Sequence, residues 1–485
     1  MKKKLSAKPK SKNELNVTLN PKQETAFFSQ ANEILYGGGA GGGKSFLIRL
    51  IALFFAMEIP EIQIYIFRKN LKDLVKNHLE GALGFRALLR PYIKAKLAKI
   101  DSVKNELTIG KSKIYLCHCK TPKAVLDYQG TEMHILLIDE LTHFIFDIYA
   151  YLRSRVRCSG LEIPEKYKHK IPFIFCGSNP SGVGHNWVKD TFITSAPSFA
   201  IHQTRPEDGG MRRQFIPALL GDNPHLMRDD PNYKNRLLGF GNDNLKKALL
   251  DGNWDIIDGG MFSDLWDANA HIVEPFEIPW SWYLDRSLDW GSSKPFSVGF
   301  WAESDGSTVT LKNGLERTYP RGTLFRVGEI YGCSDEPNKG LKIGSGAVAA
   351  MIKDWEYKSG LKFNAGVADS SIYDTIDKTS PSIATNFSSA GVEWRPANKS
   401  AGTRIQGCEL FRERLNNSLK NNDAPQFYVF NTCRHFIRTV PVLSRDEARP
   451  DDIDTDAEDH SYDETRYRIL DSQSGVKAQK IKRGI

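Results

Sequence analysis

Residues 37–45 read GGGAGGGKS, directly behind the apolar run 34–36 (ILY) and ahead of the apolar run 46–57 (FLIRLIALFFAM). Taken as strand, glycine loop and helix, the stretch matches G-x-x-x-x-G-K-[ST]. Gly38, Gly43, Lys44 and Ser45 stand in the fixed places, with Gly39, Ala40, Gly41 and Gly42 between them. Glycines permit positive φ angles and close backbone approach, which turn successive N–H groups toward phosphate oxygens. A helix starting near Lys44 adds the positive end of its dipole. Lys44 is then placed to reach the β- and γ-phosphates, and Ser45 to hold Mg²⁺. A flexible linker is the alternative reading, but linkers are not followed by Lys-Ser and an apolar helix. The stretch therefore predicts a nucleoside triphosphate site.

Working outward, residues 134–140, HILLIDE, are an apolar strand ending in two acids, the Walker B pattern. Asp139 at the strand tip is placed to hold the Mg²⁺ shell, and Glu140 to polarise the attacking water. Between the two motifs, residues 62–67 (IQIYIF) read as a buried parallel strand closed by Arg68, a candidate for phosphate contact and equally a surface charge. Residues 70–100 read as helical and 113–117 as a further strand. Residues 171–180, IPFIFCGSNP, are another buried strand; Ser178 and Asn179 at its tip are candidates to sense the γ-phosphate, although Ser-Asn-Pro is also ordinary turn chemistry. Ahead of the loop, Gln23 lies on a short amphipathic helix in 20–30. Its two-faced amide suits the adenine edge, and an exposed helix glutamine is the alternative. Arg153, Arg155 and Arg157 lie on a predicted helix, either facing a neighbouring subunit's nucleotide or forming a solvated or DNA-facing surface.

The second half restarts with residues 282–291 (WYLDRSLDWG) and 296–303 (FSVGFWAE), two antiparallel strands joined by a turn. A third strand at 323–331, a helix at 346–357, a strand at 364–369 (NAGVAD) and a late helix at 458–467 (EDHSYDETRY) follow. This is the order of an RNase H-like domain with a mixed sheet. Its chemistry needs carboxylates from separated segments converging on two divalent metals ~4 Å apart. Asp289, Asp369 and Asp463 are the natural set of catalytic metal ligands, and His460, three residues from Asp463 on one helix face, assists. Glu329, Asp285 and Asp459 rank below them as further candidates.

Composition bounds the rest. A chain of 485 residues, 40% apolar and 26% charged, is that of a globular protein with at least two domains. The net charge of +8 permits a nucleic-acid partner without demanding one. Seven cysteines without a CxxC pair suit a reducing cytoplasm, and no apolar run is long enough for a membrane span. The expected division is a basic N-terminal tail (1–19), an α/β RecA-like P-loop ATPase domain with a mostly parallel sheet (20–220), a small helical subdomain and linker (221–275), the RNase H-like nuclease domain (276–470) and a basic C-terminal tail (471–485), with a hinge at 258–260.

The adjacent Asp139-Glu140, the Ser178-Asn179-Pro180 turn, the D-W-G strand end at 289–291 and the closing D-H-x-Y-D-x-x-R-Y run at 459–467 together resemble the large terminase subunit of tailed bacteriophages. The resemblance spans roughly residues 20–470. It implies a motor in the host cytoplasm that docks transiently on the portal of an empty procapsid, hydrolyses ATP to pump double-stranded DNA, and cuts the concatemer with a two-metal (Mg²⁺ or Mn²⁺) endonuclease. It further implies a homo-oligomeric ring, a small terminase subunit that chooses the DNA site, and absence from the mature virion. Ser178 and Asn179 then fit the motif that couples hydrolysis to movement. One departure stands out: Ala40 occupies a loop position where many members carry an arginine, so a charge-stabilising arginine has to come from elsewhere. The competing readings are a host-type helicase-nuclease of DNA repair and a portal-docking assembly protein with an inactive nuclease half.

Overall fold

The apolar runs on either side of the glycine loop become neighbouring elements of one core because their side chains are buried on both faces of a sheet. In the computed structural model, which describes residues 17–239, 250–254, 260–334, 336–375, 381–446 and 448–473, the chain divides into two units, Met1–Gly259 and Gly260–Ile485. The basic tails expected at 1–19 and 471–485 lie largely outside the described residues, as do 258 and 259 of the expected hinge.

The first unit carries β1 (Glu33–Gly38), β2 (Gln63–Arg68), β3 (Ala98–Asp101), β4 (Glu106–Ile109), β5 (Ser112–His118), β6 (Ile135–Asp139), β7 (Phe173–Ser178), β8 (Ile201–Gln203) and β9 (Arg212–Ala218). They form one sheet in the order β3-β4-β5-β2-β6-β7-β1-β9-β8. The run from β5 to β9 is parallel, and β3, β4 and β8 add antiparallel edges. Ile34, Tyr36, Ile64, Ile66 and Leu137 pack with Leu47, Ile48 and Ile51 of the helix Lys44–Glu58. Leu35, Phe67, Leu136 and Ile138 pack on the opposite face with Tyr149, Leu152 and Trp187. Side chains of successive strand residues point to opposite faces, so a run buried on both sides is apolar throughout. The strand β7 lies between β1 and β6, which places its tip between the glycine loop and Asp139.

Two readings of this half need correction. Residues 70–100 are broken into short helical pieces and end in β3; Pro91 and the positive φ of Gly81 and Lys96 interrupt any longer helix. The region expected as a helical subdomain at 221–275 is divided between the units. Leu220, Leu226 and Tyr233 close over Gly41, whereas Met261 and Phe262 pack in the second unit's core and Ile272–Val273 joins its sheet.

The second unit contains β10 (Ile272–Val273), β11 (Tyr283–Asp289), β12 (Ser297–Glu303), the separate hairpin β13 (Thr308–Thr310) and β14 (Glu316–Thr318), β15 (Leu324–Tyr331), β16 (Gly366–Ala368), β17 (Trp394–Pro396) and β18 (Phe427–Phe430). The main sheet runs β10-β18-β15-β12-β11-β16-β17, with β11, β12 and β15 antiparallel and β16 and β17 parallel to β11. Leaving out the added edge strands β10 and β18, this is the 3-2-1-4-5 order of an RNase H-like sheet. The expected elements at 323–331, 346–357, 364–369 and 458–467 are present as β15, the helix Ser345–Ser359, β16 and the helix His460–Gln473. That last helix is fixed by buried charge. Glu464 accepts from Arg326 and Ser287, and Arg468 Nε donates to Asp285 Oδ1 at 2.6 Å. Breaking one member of such a buried pair destabilises by roughly 3–5 kcal/mol, so the helix is held in one rotation, with His460, Asp463 and Tyr467 toward the end of β11.

Candidate functional site

The glycine loop is shaped by its carbonyls. Gly39 O accepts from Lys44 Nζ (2.8 Å), Gly41 O from Asn223 Nδ2 (2.7 Å), Gly42 O from Tyr36 OH (3.1 Å) and Gly43 O from Gln23 Nε2 (3.2 Å). In a trans peptide the C=O of one residue and the N–H of the next point opposite ways. Holding these carbonyls therefore turns the N–H groups of Ala40, Gly42, Gly43 and Lys44 the other way, where an anion can collect them. Gly41 and Gly43 have φ of 73° and 78°, and a Cβ on Gly41 would stand 2.7 Å from Leu220 Cδ1. The positive φ favours glycine at both positions, and a Cβ on Gly41 would also have to displace the Leu220 side chain. Gln23 is buried, and its Oε1 accepts from Asn20 N at 3.0 Å, capping its own helix, so both faces of its amide are engaged, one of them on the loop. Tyr36 and Asn223 were not singled out from sequence, because no short-range pattern marks a side chain that reaches back to a loop carbonyl.

Lys44, Ser45, Asp139, Glu140 and Asn179 are brought together at the ends of β1, β6 and β7. Ser45 Oγ lies 3.2 and 3.1 Å from the two Asp139 oxygens, and Lys44 Nζ also donates to Asn179 Oδ1. Burial pushes the Lys44 ammonium down, opposed by the Glu140 and Asp139 carboxylates. Asp139 is fully buried. Burial alone would raise its carboxyl, but His78, Arg68 and Lys44 outweigh that and hold it well below the usual carboxylate range. Arg68 Nε is 3.0 Å from Asp139 Oδ2 and its Nη2 is 3.4 Å from Glu140 Oε1, so Arg68 is part of the site and not a surface charge. His78 Nε2 is 3.0 Å from Asp139 Oδ2. It comes from the π-helical turn Val75–Leu79, which only the tertiary fold carries to the Walker B strand. Glu140 has φ 60° and ψ 60°, a left-handed conformation that a side chain occupies at a cost and that clusters at functional sites.

Ser178 faces the turn after Asp139. Its Oγ accepts from Thr142 N (3.1 Å) and bonds the Thr142 hydroxyl (2.9 Å), while Asn179 O accepts from Thr142 Oγ1 (3.2 Å). The three arginines past Walker B do not form one face. Arg153 turns inward, donating to Asp208 O (2.7 Å) and lying 3.6 Å from buried Glu33. Arg155 bonds Ser154, and Arg157 stands 3.7 Å from Glu132.

In the second unit, Leu288 pairs with Ala368, so Asp289 and Asp369 follow at the ends of neighbouring parallel strands. His460 Nδ1 lies 3.1 Å from Asp289 Oδ2, and Tyr467 OH donates to Asp289 Oδ1 at 3.4 Å. Burial pushes the Asp289 carboxyl up, His460 opposes this, and the charges of Asp463 and Asp369 add to the rise. Asp459 is likewise pushed well up, by burial and then by Asp463 and Asp289, so it belongs to this cluster despite its lower rank. Asp285 and Glu329 do not belong. Asp285 is buried against Arg468, and Glu329 accepts from His435 N (2.7 Å) and Phe436 N (3.1 Å), capping the helix Arg434–Thr439.

Asp369 and Asp463 have basic partners of their own. Lys399 Nζ is 2.5 Å from Asp369 Oδ1, and Arg466 Nη2 is 3.1 Å from Asp463 Oδ1, with Arg404 Nη1 3.7 Å from its other oxygen. Lys399 and Arg404 carry no recognisable motif; the turn before the helix Thr403–Lys420 and its first residues deliver them. Among the described residues, no three His, Cys, Asp or Glu side chains already stand in metal-holding positions. The donor set nonetheless suits a hard divalent cation, being all oxygen apart from His460, largely buried, and mutually repelling.

Residues 35–267 match the family model described as terminase large subunit, T4likevirus-type, N-terminal. No curated relative matches the chain by sequence. Among solved structures, the HK97 bacteriophage large terminase aligns at 13% identity over 94% of this chain and 95% of its own, with a TM-score of 0.42. The large terminase of a thermophilic bacteriophage aligns at 17% identity over 95% of this chain and 100% of its own, with a TM-score of 0.40. The P22 large terminase nuclease domain aligns at 17% identity over 44% of this chain and 98% of its own, with a TM-score of 0.31.

Proposed function

We propose, on the premise that residues 35–267 belong to the terminase large-subunit family, that the chain is a viral DNA-packaging motor whose first unit hydrolyses ATP to translocate double-stranded DNA and whose second unit is an endonuclease that cuts the concatemer. The observation that carries this reading is the convergence of Lys44, Ser45, Asp139 and Glu140 at adjoining strand tips, with Asn179 between loop and acid.

The residues divide the work as follows. The loop N–H groups and Lys44 take the phosphates, and Lys44 exchanges Gly39 O and Asn179 for phosphate oxygens as it does so. Mg²⁺ at Ser45 and Asp139 would neutralise charge on the transferring phosphoryl group. Asp139 is ready for that role because His78, Arg68 and Lys44 keep it ionised. Glu140 accepts the proton of the attacking water. Release of Asn179 from Lys44 reaches the turn at 141–143 through the bonds of Ser178 and Asn179 to Thr142, a physical route from nucleotide state to movement. With Ala40 in the loop, the transition-state arginine comes from outside it. In the second unit Asp289, Asp369 and Asp463, with His460 beside them, would hold Mg²⁺ or Mn²⁺, which supplies Lewis acidity for phosphodiester hydrolysis.

The partners are the portal of a procapsid, a small terminase subunit and further copies of this chain in a ring. The place of action is the host cytoplasm, and the protein leaves before the virion matures. Among the described residues no helix is long and apolar enough to cross a membrane. The test is a paired assay on the purified chain. DNA-stimulated ATP hydrolysis together with metal-dependent plasmid cleavage supports the motor-nuclease. ATP hydrolysis without cleavage leaves a packaging ATPase with an inactive second unit, and absence of both activities overturns the reading.

A further inference from the structure

A cleft of about 670 Å³ opens beside the carboxylates of the second unit, lined by Lys399, Gly402, Arg404, Arg449, Asp463 and Arg466 among others. Its floor is the start of the 18-residue helix Thr403–Lys420, which begins at Gly402 with no side-chain cap; the Thr403 N–H donates to Ser400 O at 3.1 Å, so the N–H groups of Arg404 and Ile405 and the positive dipole end are left to the cleft. A second, independent feature points to an anion there. Arg466 is 2% exposed and its Nη1 has no hydrogen-bond partner among the described residues, and Arg404 Nη2 is buried and equally unpartnered. A buried guanidinium N–H gains from any acceptor that reaches it, and an oxyanion supplies a charge-assisted one. Asp451, Asp452 and Asp463 also line the cleft. Arg404 Nε, however, already satisfies Asp452 at 3.0 Å, and Arg466 satisfies Asp463, so donors are left over for a further acceptor.

We propose that this cleft is a DNA-backbone site: the uncapped helix start, Arg404, Arg466 and Lys399 hold a phosphodiester of the bound strand next to the one facing Asp289, Asp369 and Asp463. Lys399 links the two places, since its ammonium bonds Asp369 and lines the cleft. The assignment deepens the nuclease reading and rests on it for the identity of the neighbouring phosphate. Phosphate groups suit the site better than carboxylates do, because N–H donors arrive from a helix end and from two guanidinium planes at once.

The test uses the full chain, without nucleotide and in EDTA, binding a short fluorescent duplex by anisotropy across a salt series. Two variants report on the site. Arg404→Gln removes one positive charge. Ile405→Glu places a carboxylate in the third helical position, where it suits the helix and so preserves folding, but where it repels phosphate. Expected are about tenfold weaker duplex binding in each and a salt slope shallower by about 0.9 in Arg404→Gln, with ATP hydrolysis unchanged in both and melting temperature unchanged in Ile405→Glu; Arg404→Gln also melts lower, because it leaves the buried Asp452 carboxylate without its partner. Unchanged affinity and slope in both variants overturn the proposal. Inorganic phosphate binding that Ile405→Glu abolishes, with duplex affinity unchanged, assigns the cleft to a free anion and also overturns it. Failure of the nuclease reading is seen separately: a wild type that binds duplex through this cleft yet never cleaves with Mn²⁺ loses that reading and keeps the site.

Discussion

Glu140 offers the sharpest separation of catalysis from stability. Its left-handed backbone, φ 60° and ψ 60°, strains a residue with a Cβ by about 1–2 kcal/mol. Its ion pair to Arg68, at 3.4 Å, is partly exposed and worth about 0–1 kcal/mol. Replacing it by glycine releases the strain, loses the pair, and adds about 0.5–1 kcal/mol of unfolded-chain entropy. The sum lies between about −1 and +1.5 kcal/mol, a shift of no more than about 6 °C in the melting temperature of a unit this size. Catalysis responds differently, because loss of a positioned general base costs about 10²–10⁴ in turnover. Glu140→Gly and Glu140→Gln are therefore expected to melt near wild type, bind ATP with affinity within a few-fold of it, and hydrolyse it at least about 100-fold more slowly. Calorimetry with a coupled phosphate-release assay measures both. Turnover near wild type in Glu140→Gln refutes the assignment of the base, and a Glu140→Gly protein destabilised by more than about 3 kcal/mol refutes the argument that the strain serves function.

Asp289→Asn is expected to abolish Mg²⁺- or Mn²⁺-dependent nicking of supercoiled plasmid while DNA-stimulated ATP hydrolysis stays within about twofold; nicking that survives removes Asp289 from the site. Gln23→Ala loses the bonds to Gly43 O and Asn20 N, roughly 1 kcal/mol each, and is expected to weaken ATP and GTP by the same factor. A selective loss of ATP in a nucleotide titration would make Gln23 a base reader after all. Lys170, buried on the carbonyls of Phe27 and Ser29, has its ammonium pushed down to about 7 by burial. The unfolded chain then binds the extra proton between pH 7 and 10.5, so stability rises with pH through that window, on the order of a few kcal/mol at most. Urea denaturation at about pH 7 and about pH 9.5 is expected to show this rise in wild type and a flat profile in Lys170→Met; equal slopes in the two proteins would count against it.

The local motifs were legible because their chemistry is written in consecutive residues. The loop at 37–45 and the strand ending in Asp139-Glu140 each carry their own backbone requirement and apolar context, and the order of strands and helices from 282 to 467 predicted the second sheet without any contact being known. Residues 70–100 misled because apolar spacing alone does not register the breaks at Gly81, Pro91 and Lys96. Arg153 misled because alternating arginines look solvent-facing until a buried Glu33 appears beneath them.

By itself, then, the sequence determined the glycine loop and its helix, the α/β class of both units, and the acids that end or follow β6, β11 and β16. Each of these follows from side-chain periodicity and from residues adjacent along the chain. Only the tertiary structure decided what surrounds them. It brought His78 and Arg68 onto Asp139, turned Gln23 and Asn223 into braces of the glycine loop, and set Lys399 and Arg404 beside Asp369 and Asp463. These groups act through charge and hydrogen bonds over about 3 Å, yet most of the partners lie dozens of residues apart in the chain, and Asn223 stands far downstream of the loop it braces. A distance of that kind is set by how strands order themselves in a sheet, and no local pattern records it.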